Sequence, residues 1–260
     1  MARSRISKRA RIKRSSTIGA FSVIEDDVII GERNTIGSHV VIRKGTVIGN
    51  DNMIHTGVHL GVLPQDYHYQ GERSRCHIGN NNIIREYATI SKATGEDRET
   101  VIGDSNFIMT YVHVAHNVVI GSHTIVASGS QLGGHVQLGD HATVGGLAGV
   151  HQFCRIGKYA MLGAKSYLSQ DLPPYLLACG NRAVVFGVNV RGLQRHTFSR
   201  SDIERIKEIY RLLYRSSFGS SRVLEMLEEK ATDNDFAGDF LGFVRTSQRG
   251  ILLKTKRRPL

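Results

Sequence analysis

Histidine is the side chain whose charge changes near neutrality, and this sequence concentrates it. Six of its 12 histidines lie between His113 and His151, where they offer general bases, metal ligands or plain polar surface. Around them run His113-Val-Ala-His116, Gly133-Gly134-His135 and Val150-His151-Gln152-Phe153-Cys154. A histidine poised near neutral pH can take a proton from an attacking hydroxyl, and a glycine beside it can offer a bare backbone N–H to a developing oxyanion. A metal site is a second reading, since imidazole is a common ligand and His113 and His116 are close in sequence. The third is that each histidine is simply an exposed polar residue.

Which reading holds depends on the elements that carry these residues. An aliphatic residue falls on nearly every sixth position from Ile6 to Leu168, broken only at Asp66, Glu72 and Glu96. Neither the three-and-four spacing of a helix nor the alternation of a strand gives a period of six. It is the mark of hexapeptide repeats wound into a parallel β-helix, with one aliphatic per short strand pointing down the axis. Glycine follows the aliphatic at many repeats, among them Gly19, Gly31, Gly121, Gly133, Gly145 and Gly163, as expected where a chain turns a tight corner. Three hexads make a coil of about eighteen residues, with coils about 4.8 Å apart. That period stacks His116, Gly134 and Gln152 in one column, with His135 and His151 each one residue away and His116 and His135 about 6 Å apart.

Two stretches interrupt the pattern without losing its phase. Residues 61–77 and 91–100 are rich in polar groups and read as loops thrown out from the prism, where binding groups tend to sit. Gln170-Asp171-Leu172-Pro173-Pro174 ends the repeat because consecutive prolines remove amide donors. Tyr175–Phe198 reads as a connecting segment. Ser201-Asp-Ile-Glu204 reads as a capping box before a helix with Ile203, Ile206, Ile209 and Leu213 on one face. A second helical stretch carries Val223, Leu224 and Leu227, and a third Phe240, Leu241 and Val244. The expected division is a β-helix with its connecting segment over 1–190 and a small helical domain over 191–260 that covers the open end or packs against a neighbour.

The formal charge of +11 sits in the ends, with seven Lys or Arg in residues 1–14 and five in 249–260 and no acid among them. The rest is near neutral, and no nucleic-acid motif accompanies the excess, so solvated tails are expected rather than a nucleic-acid partner, with attraction to an acidic partner as the second reading. Cys76, Cys154 and Cys179 are an odd, widely spaced set that reads as reduced thiols of a cytoplasmic protein. No apolar run spans a bilayer and no secretory signal is evident.

The motifs around the histidines, together with Gln65-Asp66, Gly71-Glu72, Asp171-Leu-Pro-Pro-Tyr175, Phe186-Gly-Val-Asn189, Phe198-Ser199 and Arg249-Gly250, resemble the bacterial UDP-N-acetylglucosamine O-acyltransferases that start lipid A synthesis. The resemblance covers nearly the whole chain. It implies a left-handed parallel β-helix, a homotrimer with sites between subunits, and an acyl carrier protein as donor of a 3-hydroxyacyl chain. The donor's phosphopantetheine arm would be the only prosthetic group, with no cofactor or metal of the chain's own. It further implies that His116 is the general base for the sugar 3-hydroxyl and Gly134 the oxyanion donor. His135, His151 and Gln152 would line the sugar and acyl site, Asp66 and His113 would contact the sugar nucleotide or the base, and His68 would meet its phosphates from the loop. Asn189 and Arg195 would hold the nucleotide or donor, and Ala164 would set acyl length.

The chain departs from the family at His68 for lysine, Asn117 for aspartate, Arg191 for an acidic residue and His196 for arginine. These departures keep open a 3-amino sugar acceptor. A metal-dependent enzyme of the γ-carbonic-anhydrase type and a non-catalytic hexapeptide scaffold are the remaining alternatives.

Overall fold

The computed structural model describes residues 3–216, 219–253 and 255. Short strands, most of two residues, alternate with two-residue turns and line up in three parallel sheets along a triangular prism. Face A includes His113–Val114, Gln131–Leu132 and Gly149–Val150, and face B includes Val119–Ile120, Gln137–Leu138 and Arg155–Ile156. Face C includes Ile125–Val126, Thr143–Val144 and Met161–Leu162. The architecture is the expected left-handed parallel β-helix.

The every-sixth aliphatic points inward: Ile108, Val114, Val126, Val144 and Leu162 are fully buried. Each contributes about 1.5–3 kcal/mol of burial, so the repeat stabilises itself coil by coil. Register is set at 18 residues per coil, as in the contact of Glu32 with Asn50. Across the first loop the spacing becomes 30 and across the second 24, as for Asn50 with Asn80 and Asn80 with Asp104. Both loops insert whole hexads, so every inward side chain stays inward.

The glycine slot has a different cause from the expected one. The left-handed residue of most corners is a non-glycine two positions later, such as Asn117 at φ 58°, His135 at 60°, His141 at 59° and Leu147 at 57°. Gly145, in the slot, has no positive φ; a Cβ there would lie 2.4 Å from the backbone nitrogen of Ala164 in the next coil. Close approach of stacked coils, rather than the turn, requires glycine there.

The repeat does not stop at the prolines. Leu176–Cys179 adds a parallel strand beside Met161–Leu162 and then pairs antiparallel with Val184–Val188, so the expected connecting segment is a hairpin that closes face C. Helix α1 (Val190–Arg195) follows, then α2 (Arg200–Arg215), α3 (Ser220–Ala231) and α4 (Asp235–Arg245). The capping box is Ser199 with Asp202, two residues before the expected Ser201 and Glu204. Phe198 sets that start, packing edge-on against Tyr159 at 4.9 Å and fixing where the chain enters the helix. Leu212 is buried on α2 where Leu213 was expected, and Leu213 is only partly covered. One continuous core runs from the coils through Tyr175 into Ile206, Ile209 and Phe240 of the helices. Gly250 and Leu252 return to bond the backbone of Asp171 at 3.0 and 2.7 Å, which gives the Arg249-Gly250 motif a structural role. Four of the C-terminal cations, Lys254, Lys256, Arg257 and Arg258, lie outside the described residues.

Candidate functional site

The A/B corner carries the histidine column. His116 and Asn117 form one turn, Gly134 and His135 the next, and Gln152 and Phe153 the third. His116 meets His135 edge-on at 5.4 Å, close to the sequence-based spacing, and His135 stacks on Phe153 at 4.6 Å. The first loop swings over this column and delivers Asp66, whose Oδ2 lies 3.8 Å from His116 Nε2. That gap is too long for a direct hydrogen bond and leaves both atoms free for a third group. The His68 backbone N–H donates to Asp66 Oδ1 at 3.0 Å and its ring Nδ1 sits 3.1 Å from the same oxygen. The backbone donor from His68 leads the effects that hold the Asp66 carboxyl below the ordinary carboxylate range.

Burial lowers the pKa of His113, whose Nδ1 pairs with Thr89 Oγ1 at 2.7 Å. Burial also lowers that of His135, followed by the charge on His116. Both rings therefore stay neutral at pH values where a free imidazole takes up a proton.

Gly134 is shaped by its neighbour. A Cβ there would lie 2.6 Å from His116 Nε2, so any larger residue displaces the imidazole. Its N–H has no hydrogen-bond partner among the described residues although the residue is buried. At the B/C corner the N–H in the same turn position is capped from the next coil: Glu32 by Asn50 Oδ1 at 2.7 Å, Asn80 by Asp104 Oδ1 at 2.6 Å and Ser122 by Asp140 Oδ1 at 2.7 Å. An uncapped buried donor beside a histidine nitrogen is suited to a developing negative charge.

His151 lies one coil on, its Nδ1–H donating to the Gln152 carbonyl at 3.0 Å. Asn189 and Arg195 are not at this corner. Asn189 caps α1, accepting from Gly192 N at 3.2 Å and donating to Tyr159 O at 3.0 Å. Arg195 ends the same helix, and the following His196 sits 4.7 Å from His141 at the B/C corner. Ala164 lies at the third, C/A corner. Corners are separated by a whole face, about 15–20 Å, so a single chain does not bring the three groups of expected site residues together.

Thr89 and Thr94 were not singled out by sequence, because they act through a hydroxyl and a backbone that no motif marks. The stacked His123, His141 and Tyr159 were legible in principle, being spaced by one coil. Among the described residues no group of three or more His, Cys, Asp or Glu could hold a metal ion. Burial pushes the Cys76 thiol up to about 12 and Cys154 up to about 11, which leaves both inert as nucleophiles. No helix among the described residues is long and apolar enough to cross a membrane.

A family model described as UDP-N-acetylglucosamine O-acyltransferase, domain 2, matches residues 171–252, and bacterial transferase hexapeptide repeats match residues 9–44 and 99–134. The acyl-[acyl-carrier-protein]–UDP-N-acetylglucosamine O-acyltransferase of Burkholderia mallei is 44% identical over 198 residues, 74% of this chain and 76% of that protein. The protein of the same name from Nautilia profundicola is 42% identical over 200 residues, 76% of each chain. Among solved structures, the UDP-N-acetylglucosamine acyltransferase of Francisella novicida matches with a TM-score of 0.93 at 38% identity, covering 95% of this chain and 91% of that one. The Arabidopsis UDP-N-acetylglucosamine acyltransferase matches with a TM-score of 0.80 at 31% identity, covering 95% of this chain and 99% of that one. These likenesses do not favour a metal-dependent hexapeptide enzyme or a non-catalytic scaffold. The chain belongs to the UDP-N-acetylglucosamine O-acyltransferase family.

Proposed function

We propose that this protein is a cytoplasmic homotrimer that moves a 3-hydroxyacyl chain from acyl carrier protein to the 3-hydroxyl of UDP-N-acetylglucosamine, the first step of lipid A synthesis. His116 Nε2 takes the hydroxyl proton as the sugar oxygen attacks the thioester carbonyl. The carbonyl oxygen gains negative charge and meets the Gly134 N–H. The C–S bond then breaks, the imidazolium returns its proton to the departing thiolate of the phosphopantetheine arm, and an ester and a free thiol remain. No dissociable cofactor or metal enters this scheme. The buried, uncapped Gly134 N–H next to His116 Nε2 is the observation that carries the reading.

Asp66 and His68 would hold the sugar from the first loop, with His113, His135, His151 and Gln152 around the sugar and the first carbons of the acyl chain. Asn189 and Arg195 would bind the nucleotide or donor, and Ala164 would end the acyl groove. Their separation on three corners supports a site assembled between subunits, in which a neighbour supplies the groups that one chain holds too far away. On this reading residues 1–190 form the catalytic prism and 191–260 the helical domain that receives the carrier.

Subunit mixing tests it. His116→Ala and Arg195→Ala oligomers should each be nearly inactive, while co-expressed mixtures regain a measurable fraction of activity by pairing intact halves. Mixtures that stay inactive, with mixed trimers confirmed by mass, would put both residues in one subunit's site and contradict the shared arrangement.

A further inference from the structure

Asn117 takes the left-handed position of the turn that carries His116, with φ at 58°. Its own N–H donates to Thr100 Oγ1 at 2.9 Å, which ties the corner to the strand behind the second loop. The side chain reaches into that loop. Asn117 Oδ1 accepts from the Thr94 backbone N–H at 3.0 Å, and Asn117 Nδ2 donates to the Thr94 carbonyl at 3.0 Å. A backbone N–H only donates and a carbonyl only accepts, so the amide fits one way round. Turning it over would set donor against donor and acceptor against acceptor.

The same Oδ1 lies 2.8 Å from His116 Nδ1. An amide oxygen carries no proton, so the imidazole must supply one, and the neutral ring is the Nδ1–H tautomer. The lone pair then belongs to Nε2, the nitrogen facing Gly134 and the Asp66 carboxylate.

We propose that Asn117 is a positioning residue which, clamped on the Thr94 backbone, fixes His116 as the tautomer with a free Nε2 and does so without charge. The proposal deepens the reading of His116 as general base and rests on it. An aspartate in this place could accept from the imidazole and from the Thr94 N–H, but it could not donate to the Thr94 carbonyl. Its charge would also favour the imidazolium and delay the base to higher pH. Asparagine keeps the loop pinned and adds no charge beside the ring. The other charged or titratable groups facing this ring are Asp66 from the first loop, His113 on the preceding strand and His135 on the next coil, with Arg98 of the second loop acting on His135.

Two measurements test it, the first without any catalysis. In protein labelled with 15N-histidine, the neutral His116 signal, assigned by its loss in His116→Gln, should show the proton on Nδ1. A proton mainly on Nε2 overturns the proposal whatever the enzyme does. The second is the pH dependence of kcat/KM. Asn117→Asp should move the acid limb up by about one unit or more. Asn117→Ala should lower kcat by about 10–100-fold, with KM changed by no more than about twofold, and should populate the Nε2–H tautomer. An unmoved limb in a folded Asn117→Asp protein also overturns it. Full activity in His116→Ala would instead defeat the general-base reading and leave the tautomer result standing by itself.

Discussion

At the B/C corner His123 and His141 lie face to face at 4.8 Å, and His141 continues the stack onto Tyr159 at 4.5 Å. At the A/B corner His116 meets His135 edge-on, with its Nδ1 bonded to Asn117 and its Nε2 left free 3.8 Å from an acid delivered by a loop. Both corners belong to the same prism; His135 takes the left-handed turn position that His123 and His141 take, and His116 the position just before it. The difference lies in what surrounds them. The B/C corner caps the turn N–H groups from Glu32 to Ser122 from the next coil and lets the rings stack, worth about 0.5–1.5 kcal/mol per pair. The A/B corner leaves the Gly134 donor uncapped, at a cost of about 1–3 kcal/mol, and receives both excursion loops. A repeat becomes a site where satisfaction is withheld and loops supply the missing partners.

The sharpest break in that contrast comes from removing one histidine at each corner. His116→Ala should lower kcat by about 100- to 10,000-fold, whereas His141→Ala should leave kcat within about fivefold and lower the melting temperature by a few degrees. Equal catalytic losses would mean the two corners are not distinct in role. Next in size is Gly134→Ala, expected to lower kcat about 100-fold because its methyl falls on the imidazole. Gly146→Ala at the C/A corner is the control. Its nearest neighbour would be Ser128 O at 3.4 Å, so activity and stability should hold.

The buried histidines give a smaller, pH-dependent effect. Burial depresses His113, His135 and His141 below the ordinary 6.5. The unfolded chain therefore binds more protons than the folded one just below that value, and stability should fall as pH drops from about 6.5 through the folded values. Denaturant melts from pH 7.5 to 5 would show this, and His113→Asn should flatten the slope if the assignment holds. The smallest effect is expected at Ala164. Ala164→Gly should move the preferred acyl chain toward one or two more methylenes, read from competition among acyl carrier proteins, and an unchanged preference would remove Ala164 from the acyl groove.

The prism was legible because burial acts once per strand: an inward aliphatic every sixth residue leaves a periodic trace that no surface change erases. The column of His116, Gly134 and Gln152 followed from the same arithmetic. What stayed hidden depends on backbone. The Thr94 clamp, the uncapped Gly134 N–H and the close approach that requires glycine at Gly145 have no side-chain signature. At the first helix two Ser-x-x-acid patterns overlap, Ser199 with Asp202 and Ser201 with Glu204, and the packing of Phe198 decides between them. The gap between Asn189 and His116 was invisible because motif order says nothing about which corner a residue occupies.

The central claim is most directly tested by product formation. Purified protein would be incubated with UDP-N-acetylglucosamine, its 3-amino analogue and a ladder of 3-hydroxyacyl carrier proteins, beside His116→Ala, and products weighed by mass spectrometry. The account predicts a 3-O-ester of UDP-N-acetylglucosamine that is lost in the variant. Undiminished ester from folded His116→Ala protein, or product from the amino analogue alone, would contradict it.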